Sequence, residues 1–188
     1  MAPHIDTEKY LEELSRTVPG FGYTVIREGL YSESYPLYTS FFNPCQPTNE
    51  IKIPHDGSGP GIAWVKREEL GEGTAELIKR FVESPGEYTY RNDRVLLSGQ
   101  QTLTITETVE ILSKTAGTSV SIRKVSKEEY AALPQNVDGF TYKDVSYSYP
   151  WTTSFDAFRR GEGSHVSPLL RELLGREPED FETTIRRI

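Results

Sequence analysis

Short apolar runs alternate along this chain with segments of helical period, and that alternation restricts the fold more than any other feature of the sequence. Strand-like runs occur at Tyr23 to Ile26, Glu50 to Ile53, Gly61 to Val65 and Arg94 to Leu97, with Val120, Ile122 and Val125 marking another. Between them lie stretches with helix signals. Asp6 or Thr7 can cap a helix to about Arg16 that sets Tyr10, Leu11 and Leu14 on one face. Lys66 to Val82 carries Leu70, Ala75, Leu77, Ile78, Phe81 and Val82 at amphipathic spacing, despite Gly71 and Gly73. Thr104 and Glu107 have the spacing of a capping box, so a helix is expected to Ala116, stopped by Gly117. Ser126 and Glu129 repeat that pattern ahead of Pro134. Ser167-Pro168 should open Leu169 to Leu174 before Gly175, and Pro178 a last helix. An aromatic stretch from Tyr31 to Phe42 reads as partly helical, and Gln135 to Tyr149 follows no period. Helices alternating with buried strands specify an α/β fold with a mainly parallel sheet.

The 188 residues suit one domain with a sizeable core. Their net charge of −7 gives no basic field, which argues against nucleic acid and anionic membranes as partners. A single cysteine, Cys45, allows no intrachain disulfide, and three scattered histidines have no metal-ligand spacing. No run has the apolar length of a membrane span, and the amino terminus lacks a signal-peptide pattern, so the chain reads as cytoplasmic. No G-x-G-x-x-G or G-x-x-x-x-G-K-[ST] turn is present; Gly57-Ser-Gly59-Pro-Gly61 has another spacing and precedes a strand-like run, so it reads as a loop.

Several segments nevertheless carry a family pattern. His4-Ile-Asp-Thr-Glu-Lys-Tyr-Leu11 followed by Tyr23-Thr-Val-Ile-Arg-Glu-Gly-Leu-Tyr-Ser-Glu-Ser-Tyr35 resembles the NmrA-like group of atypical short-chain dehydrogenases/reductases, most of all its NAD(P)H-quinone oxidoreductase branch. Trp64-Val-Lys-Arg-Glu-Glu-Leu70, Val95-Leu-Leu-Ser-Gly-Gln100 and Leu173-Leu-Gly-Arg-Glu-Pro178 extend the likeness over nearly the whole chain. It corresponds to the carboxy-terminal part of such proteins. The resemblance therefore implies a partial Rossmann-like fold without the amino-terminal dinucleotide half. Residues 1–65 would hold the remaining αβ part, and 66–188 a helical, substrate-side part. It also implies NADPH as cofactor and a quinone or similar small carbonyl compound as acceptor. A non-catalytic, NAD(P)-sensing regulatory protein that binds a protein partner is the alternative.

By the same resemblance Glu28, Gly29 and Leu30 would lie along the nicotinamide, and Tyr31, Glu33 and Tyr35 beside the acceptor. Gly29 could admit a ring against the backbone, or serve only a turn. No Tyr-x-x-x-Lys couple stands in the corresponding helix, so no catalytic tyrosine carries over. His4 and Lys9 are the candidate proton donors, although Lys9 beside Glu8 and Glu13 also reads as a surface charge. The aromatics of 31–42 and 140–155 could sandwich a flat substrate or fill a core. A sheet short of its first strands would leave the Tyr23 to Ile26 edge open, which predicts a homo-oligomer or a protein partner covering it.

Overall fold

The computed structural model describes residues 2–187. Its first helix, α1, runs Ala2–Thr17 and so begins ahead of Asp6. Pro3 falls in its first turn, where the missing N–H would have had no intrahelical partner. Strand β1 (Thr24–Glu28) follows, then a 3-10 helix over Ser32–Tyr38 and strand β2 (Glu50–Ile53). Helix α2 (Arg67–Glu83) leads to β3 (Asp93–Leu97), α3 (Ile105–Ala116) and β4 (Ser121–Lys124). Both halves of the Thr104 capping box form, and Gly117 ends α3 in the left-handed region at φ 65°.

The strands pair in parallel as α/β logic requires, but in two small sheets. Strand β1 pairs with β3, Ile26 opposite Val95, and β2 pairs with β4, Ile51 opposite Ile122. Both pairings join a strand before position 65 to one after it. Among the described residues β1 has no second neighbour, so its other edge is open.

The expected strand at Gly61 to Val65 is extended chain without a ladder. Ile62 exchanges both backbone hydrogen bonds with Leu103, Ala63 donates to Gly163 O, and Val65 donates to Leu30 O while accepting from Ser32. Successive residues bond different segments, so no continuous strand neighbour exists. Side chains alternate as they would in a strand. Trp64 enters a cluster with Tyr35, Tyr38, Phe155, Phe158 and Phe181. Val65 enters a second cluster with Leu70, Leu77, Leu97, Leu170 and Leu173.

The carboxy-terminal third is a series of short helices: α4 (Lys127–Ala131), α5 (Pro134–Gly139), α6 (Ser148–Trp151), α7 (Thr153–Arg159), α8 (Leu169–Leu174) and α9 (Phe181–Ile185). Pro134 does more than end α4, because it occupies the first turn of α5. The aperiodic 135–149 stretch contains a two-stranded antiparallel hairpin, β5 (Thr141–Tyr142) and β6 (Val145–Ser146), turned by Lys143 and Asp144 at positive φ. The last helix starts later than Pro178 because the Asp180 side chain supplies its cap, accepting from Thr183 N at 2.7 Å.

Two contacts set the layering about β1 and β3. Helix α2 approaches α8 at Gly73, where a Cβ would stand 2.7 Å from Leu170 Cδ1. That face of the sheet, carrying Ile26, Val95 and Leu97, is apolar. Along β1 and β3 the alternate positions include Arg27 and Arg94, and α1 is held there by charge. The Glu8 carboxylate accepts from Arg27 at 2.7 and 2.9 Å and lies 2.7 Å from Arg94 Nε. Glu8 is buried and Leu11 and Leu14 are half-buried, while Tyr10, expected on the same inward face as the leucines, is 60% exposed.

The Arg27 hydrogen bonds, with the field of both guanidiniums, hold the Glu8 carboxyl below its ordinary value near 4.5, against the opposing effect of desolvation. Its stabilisation is therefore complete above that value and is lost as pH falls below it toward the folded-state pKa. Glu8→Gln should loosen α1 by about 1–2 kcal/mol, the scale of a charge-assisted hydrogen bond with exposed partners. Hydrogen exchange should then quicken over Ala2–Thr17 while β1 and β3 keep their protection.

Candidate functional site

Parallel pairing brings the carboxyl ends of β1 and β3 to one edge, the position where α/β sheets carry their ligands. The chain leaves β1 through Glu28, Gly29 and Leu30, and β3 through Ser98 and Gly99. Between these exits passes the 62–65 segment. Gly29 N donates to Leu97 O at 2.8 Å, and Leu30 O takes the Val65 N–H at 3.0 Å. A Cβ on Gly29 would stand 3.2 Å from Val65 Cγ1 and 3.3 Å from Ala63 O. Gly29 has no positive φ and makes its close approach to protein backbone. Ser98, buried, accepts from Ser167 N at 2.9 Å, and Gln100 Nε2 donates to Ser167 O at 2.8 Å. These bonds fix the 163–168 arm across the end of β3.

The side chains expected at the acceptor separate on folding. Tyr31 donates its hydroxyl to Glu28 Oε2 at 2.8 Å. That carboxylate, with some desolvation, raises the phenol above its ordinary value and makes it a poorer acid. Glu33 accepts from Arg67 N at 3.2 Å, so it closes the start of α2, where Lys66 supplies no side-chain cap. Tyr35 is 5% exposed and stands edge-on to Phe181 at 6.3 Å, in the core. Burial raises its phenol too. Glu28, Gly29, Leu30 and Tyr31 thus share one edge, while Glu33 and Tyr35 turn to a helix start and to the core. His4 and Lys9 are exposed on α1, Lys9 near Asp6 at 3.9 Å. Among the described residues no hydrogen bond or ion pair joins either of them to the 28–35 segment.

The aromatic stretches meet each other. Phe41 lies 4.9 Å from Phe140, Phe140 stacks on Trp151 at 4.8 Å, and Trp151 donates to Leu37 O at 2.8 Å. They fill a core, and only Tyr142, Tyr147 and Tyr149 of this set stay well exposed. The contact is locked by a backbone feature that spacing does not announce. Ser40 and Phe41 are both left-handed, at φ 54° and 57°. The Phe41 ring occupies the space beside Gly139, where a Cβ would fall 2.2 Å from it. Buried Asn136 takes the Ser40 hydroxyl hydrogen bond at 3.0 Å and donates to Tyr130 O at 2.7 Å, holding the turn in place.

His55, set aside for want of a metal spacing, is buried at the end of β2. Its Nδ1 accepts the Gly57 N–H at 2.9 Å, and burial and then Arg159 lower its pKa, so the ring is neutral. Gly57 O in turn accepts from Thr106 N, so the glycine-rich loop docks on the start of α3. With Glu107 N held by Thr104 and Arg67 N by Glu33, the starts of α2 and α3 are already closed, both with carboxylates beside them. A dinucleotide pyrophosphate needs open N–H groups at such a start. The residues present at these two helix starts do not fit one.

The chain is 31% identical over 186 residues to an NmrA-like family domain-containing oxidoreductase, flvB, of Aspergillus flavus, a match covering 98% of this chain and 54% of that protein. No family model matches it. Among solved structures it resembles NADPH-dependent quinone oxidoreductase QOR2 of Escherichia coli, with a TM-score of 0.73 and 22% identity over 99% of this chain and 60% of that one. Citrobacter sp. triphenylmethane reductase, complexed with NADP(H), gives 0.65 and 23% over 89% and 53%. These structural likenesses establish a Rossmann-like α/β fold. By sequence the chain is similar to this NmrA-like family domain-containing oxidoreductase, and it spans about half the length of the relatives it matches.

The tightest point of the edge is Gly99, where a Cβ would fall 1.8 Å from Trp64 O. Gly99→Ala must push two backbones apart and should cost about 2–3 kcal/mol. Gly86, which has nothing within 4 Å of its Cβ position, is the control, and Gly86→Ala should leave stability unchanged or slightly raised. Chemical denaturation of both variants checks the contrast.

Proposed function

We propose that this chain is the substrate-side portion of an NmrA-like, NAD(P)H-dependent oxidoreductase that reduces a quinone or a similar small carbonyl acceptor. The observation that carries the reading is the span of its likenesses. Nearly all of the chain matches just over half of an NmrA-like oxidoreductase, of a quinone oxidoreductase and of a triphenylmethane reductase. The quinone oxidoreductase and the dye reductase are described with NADPH or NADP(H). In this reading residues 1–65 belong to the last αβ part of the cofactor fold, which β3 and β4 complete by pairing with its strands, and the rest of 66–188 shapes the acceptor side.

The geometry of the Glu28–Tyr31 edge supports the oxidoreductase reading in physical terms. The Glu28–Tyr31 edge is rigid, because the backbones of Gly29 and Leu30 are tied to β3 and to the 62–65 segment. Such an edge can hold a flat acceptor in one orientation, and hydride transfer depends on orientation more than on a strong acid. Tyr31, once its hydroxyl turns away from Glu28, can donate a hydrogen bond to an acceptor oxygen, and its raised pKa keeps it protonated as it does so. The open edge of β1 and the charge-held α1 leave room for further sheet, which the cofactor's diphosphate requires, since the starts of α2 and α3 are closed. No helix among the described residues is long and apolar enough to cross a membrane.

Calorimetry with NADPH tests the reading. The 188-residue chain should bind NADPH weakly or not at all by itself, and a form extended at its amino terminus with the corresponding part of an NmrA-like oxidoreductase should bind it and reduce a simple benzoquinone. Binding by the extended form without turnover of any quinone would transfer the assignment to a non-catalytic NAD(P)-sensing regulator. Tyr31→Phe in the active form should raise KM for the quinone several-fold with a smaller change in kcat.

A further inference from the structure

One buried titratable side chain takes no part in the Glu28–Tyr31 edge, and its bonding fixes its protonation state. His55 stands just past β2, 2% exposed, with its ring 6.3 Å from that of Phe155. Its Nδ1 accepts the Gly57 N–H, and a ring nitrogen that accepts carries no proton of its own. The proton of the neutral ring is therefore on Nε2, which is buried without a hydrogen-bond partner among the described residues. An imidazolium in this place must give up the Gly57 bond, because a protonated Nδ1 cannot accept. Neutral His55 and docked Gly57 require each other.

Gly57 is clamped from both sides. His55 holds its N–H, and its carbonyl accepts from Thr106 N at 3.0 Å, at the start of α3. Its φ of 87° and its fit beneath α3, where a Cβ would fall 2.3 Å from Thr106 Oγ1, suit glycine alone. From Gly57 the loop passes Pro60, on which Gly161 packs, and runs directly into the 62–65 segment. A second partner for the ring is already at hand. Asp56 Oδ1 lies 3.6 Å from Nδ1 on an exposed side chain. Hydrogen bonds from Ser58 Oγ and Ser58 N hold the Asp56 carboxyl below its ordinary value, so it stays charged in mild acid. Nδ1 thus has a donor on one side and an acceptor on the other, and its own proton decides which it engages.

We propose that His55 is a proton-operated latch on the 55–61 loop: the neutral ring holds Gly57 against the start of α3, and the protonated ring turns its Nδ1–H to Asp56 and lets the loop go. The charges around the ring set where this happens. Burial, then Arg159 on α7 and Lys124 at the end of β4, oppose the imidazolium, while Asp56 and Asp156 favour it, and the balance lies below the ordinary value of 6.5. With the loop released the ring takes up its proton near that ordinary value, and with the loop docked only at lower pH. The latch therefore holds fully above pH 6.5 and is lost as pH falls through the docked-state value. The proposal needs no cofactor and stands apart from the oxidoreductase reading.

Amide hydrogen exchange of the 188-residue chain, followed by NMR from about pH 7.5 to about pH 5, tests it. After correction for intrinsic exchange, protection of the Gly57 and Thr106 amides should fall by about tenfold over that range. The Gly29 amide, tied to Leu97 O beside the β1–β3 sheet, should keep its protection. His55→Asn places a carboxamide oxygen where it can accept the Gly57 N–H as an Asx turn at any pH, so in that variant the loop should stay equally protected throughout. Imidazole nitrogen NMR of the unsubstituted chain adds a check that does not depend on the variant folding. His55 should show the Nε2–H tautomer at neutral pH and should titrate where Gly57 loses protection. Gly57 protection that ignores pH, a neutral His55 with its proton on Nδ1, or an Asn variant that loses protection in acid as the parent does would each overturn the proposal.

Discussion

Four residues of extended chain, Ile62 to Val65, carry more of this structure than any helix. Their backbone bonds to Leu103, Gly163, Leu30 and Ser32, and the Trp64 carbonyl rests against Gly99. Extended geometry sends Trp64 and Val65 to opposite sides, so one segment closes two apolar clusters at once. The first cluster is much the larger of the two. Joined by a backbone that neither can release separately, they form a single cooperative body. The loops at the carboxyl ends of β1 and β3 inherit their rigidity from that seam.

The β1–β3 sheet is covered unequally, and the inequality originates in two arginines. Arg27 and Arg94 occupy positions where a fully buried parallel sheet would carry valine or isoleucine. They give one face an ionic character, and the buried Glu8 carboxylate of α1 pairs with both. The opposite face holds α2 and α8 by apolar contact, tightened where Gly73 lets Leu170 in. Attachment by charge is directional and separable; attachment by packing is neither. This is the physical difference between the two sides of the sheet.

Much of the architecture was readable from residue order alone. The capping box at Thr104, the stop at Gly117 and the parallel α/β class follow from local chemistry, and the structure realises each. What sequence could not supply depends on contacts distant along the chain. The run Gly61 to Val65 looks like a strand because its side chains alternate, but a strand also needs one continuous neighbour, and here each residue has its own. Glu8 reads as surface because nothing nearby in sequence announces Arg27 and Arg94. At the candidate site the resemblance grouped Glu28, Gly29 and Leu30 with Tyr31, Glu33 and Tyr35 around one centre. It could not reveal that Glu33 closes a helix or that Tyr35 turns inward, because both depend on where Arg67 and Phe181 arrive.

The packing of Phe41 on Gly139 bears on how this sequence can change. No side chain at position 139 is compatible with the ring where it stands, and a smaller residue at 41 would empty the place the ring fills. Phe41 also keeps a left-handed backbone that glycine or asparagine would adopt with less strain. The two positions therefore form a coupled pair for substitution. In related chains a residue larger than glycine at the position of 139 should be accompanied by loss of the aromatic ring at the position of 41, so the geometry of one turn becomes a pattern of covariation between sites almost a hundred residues apart.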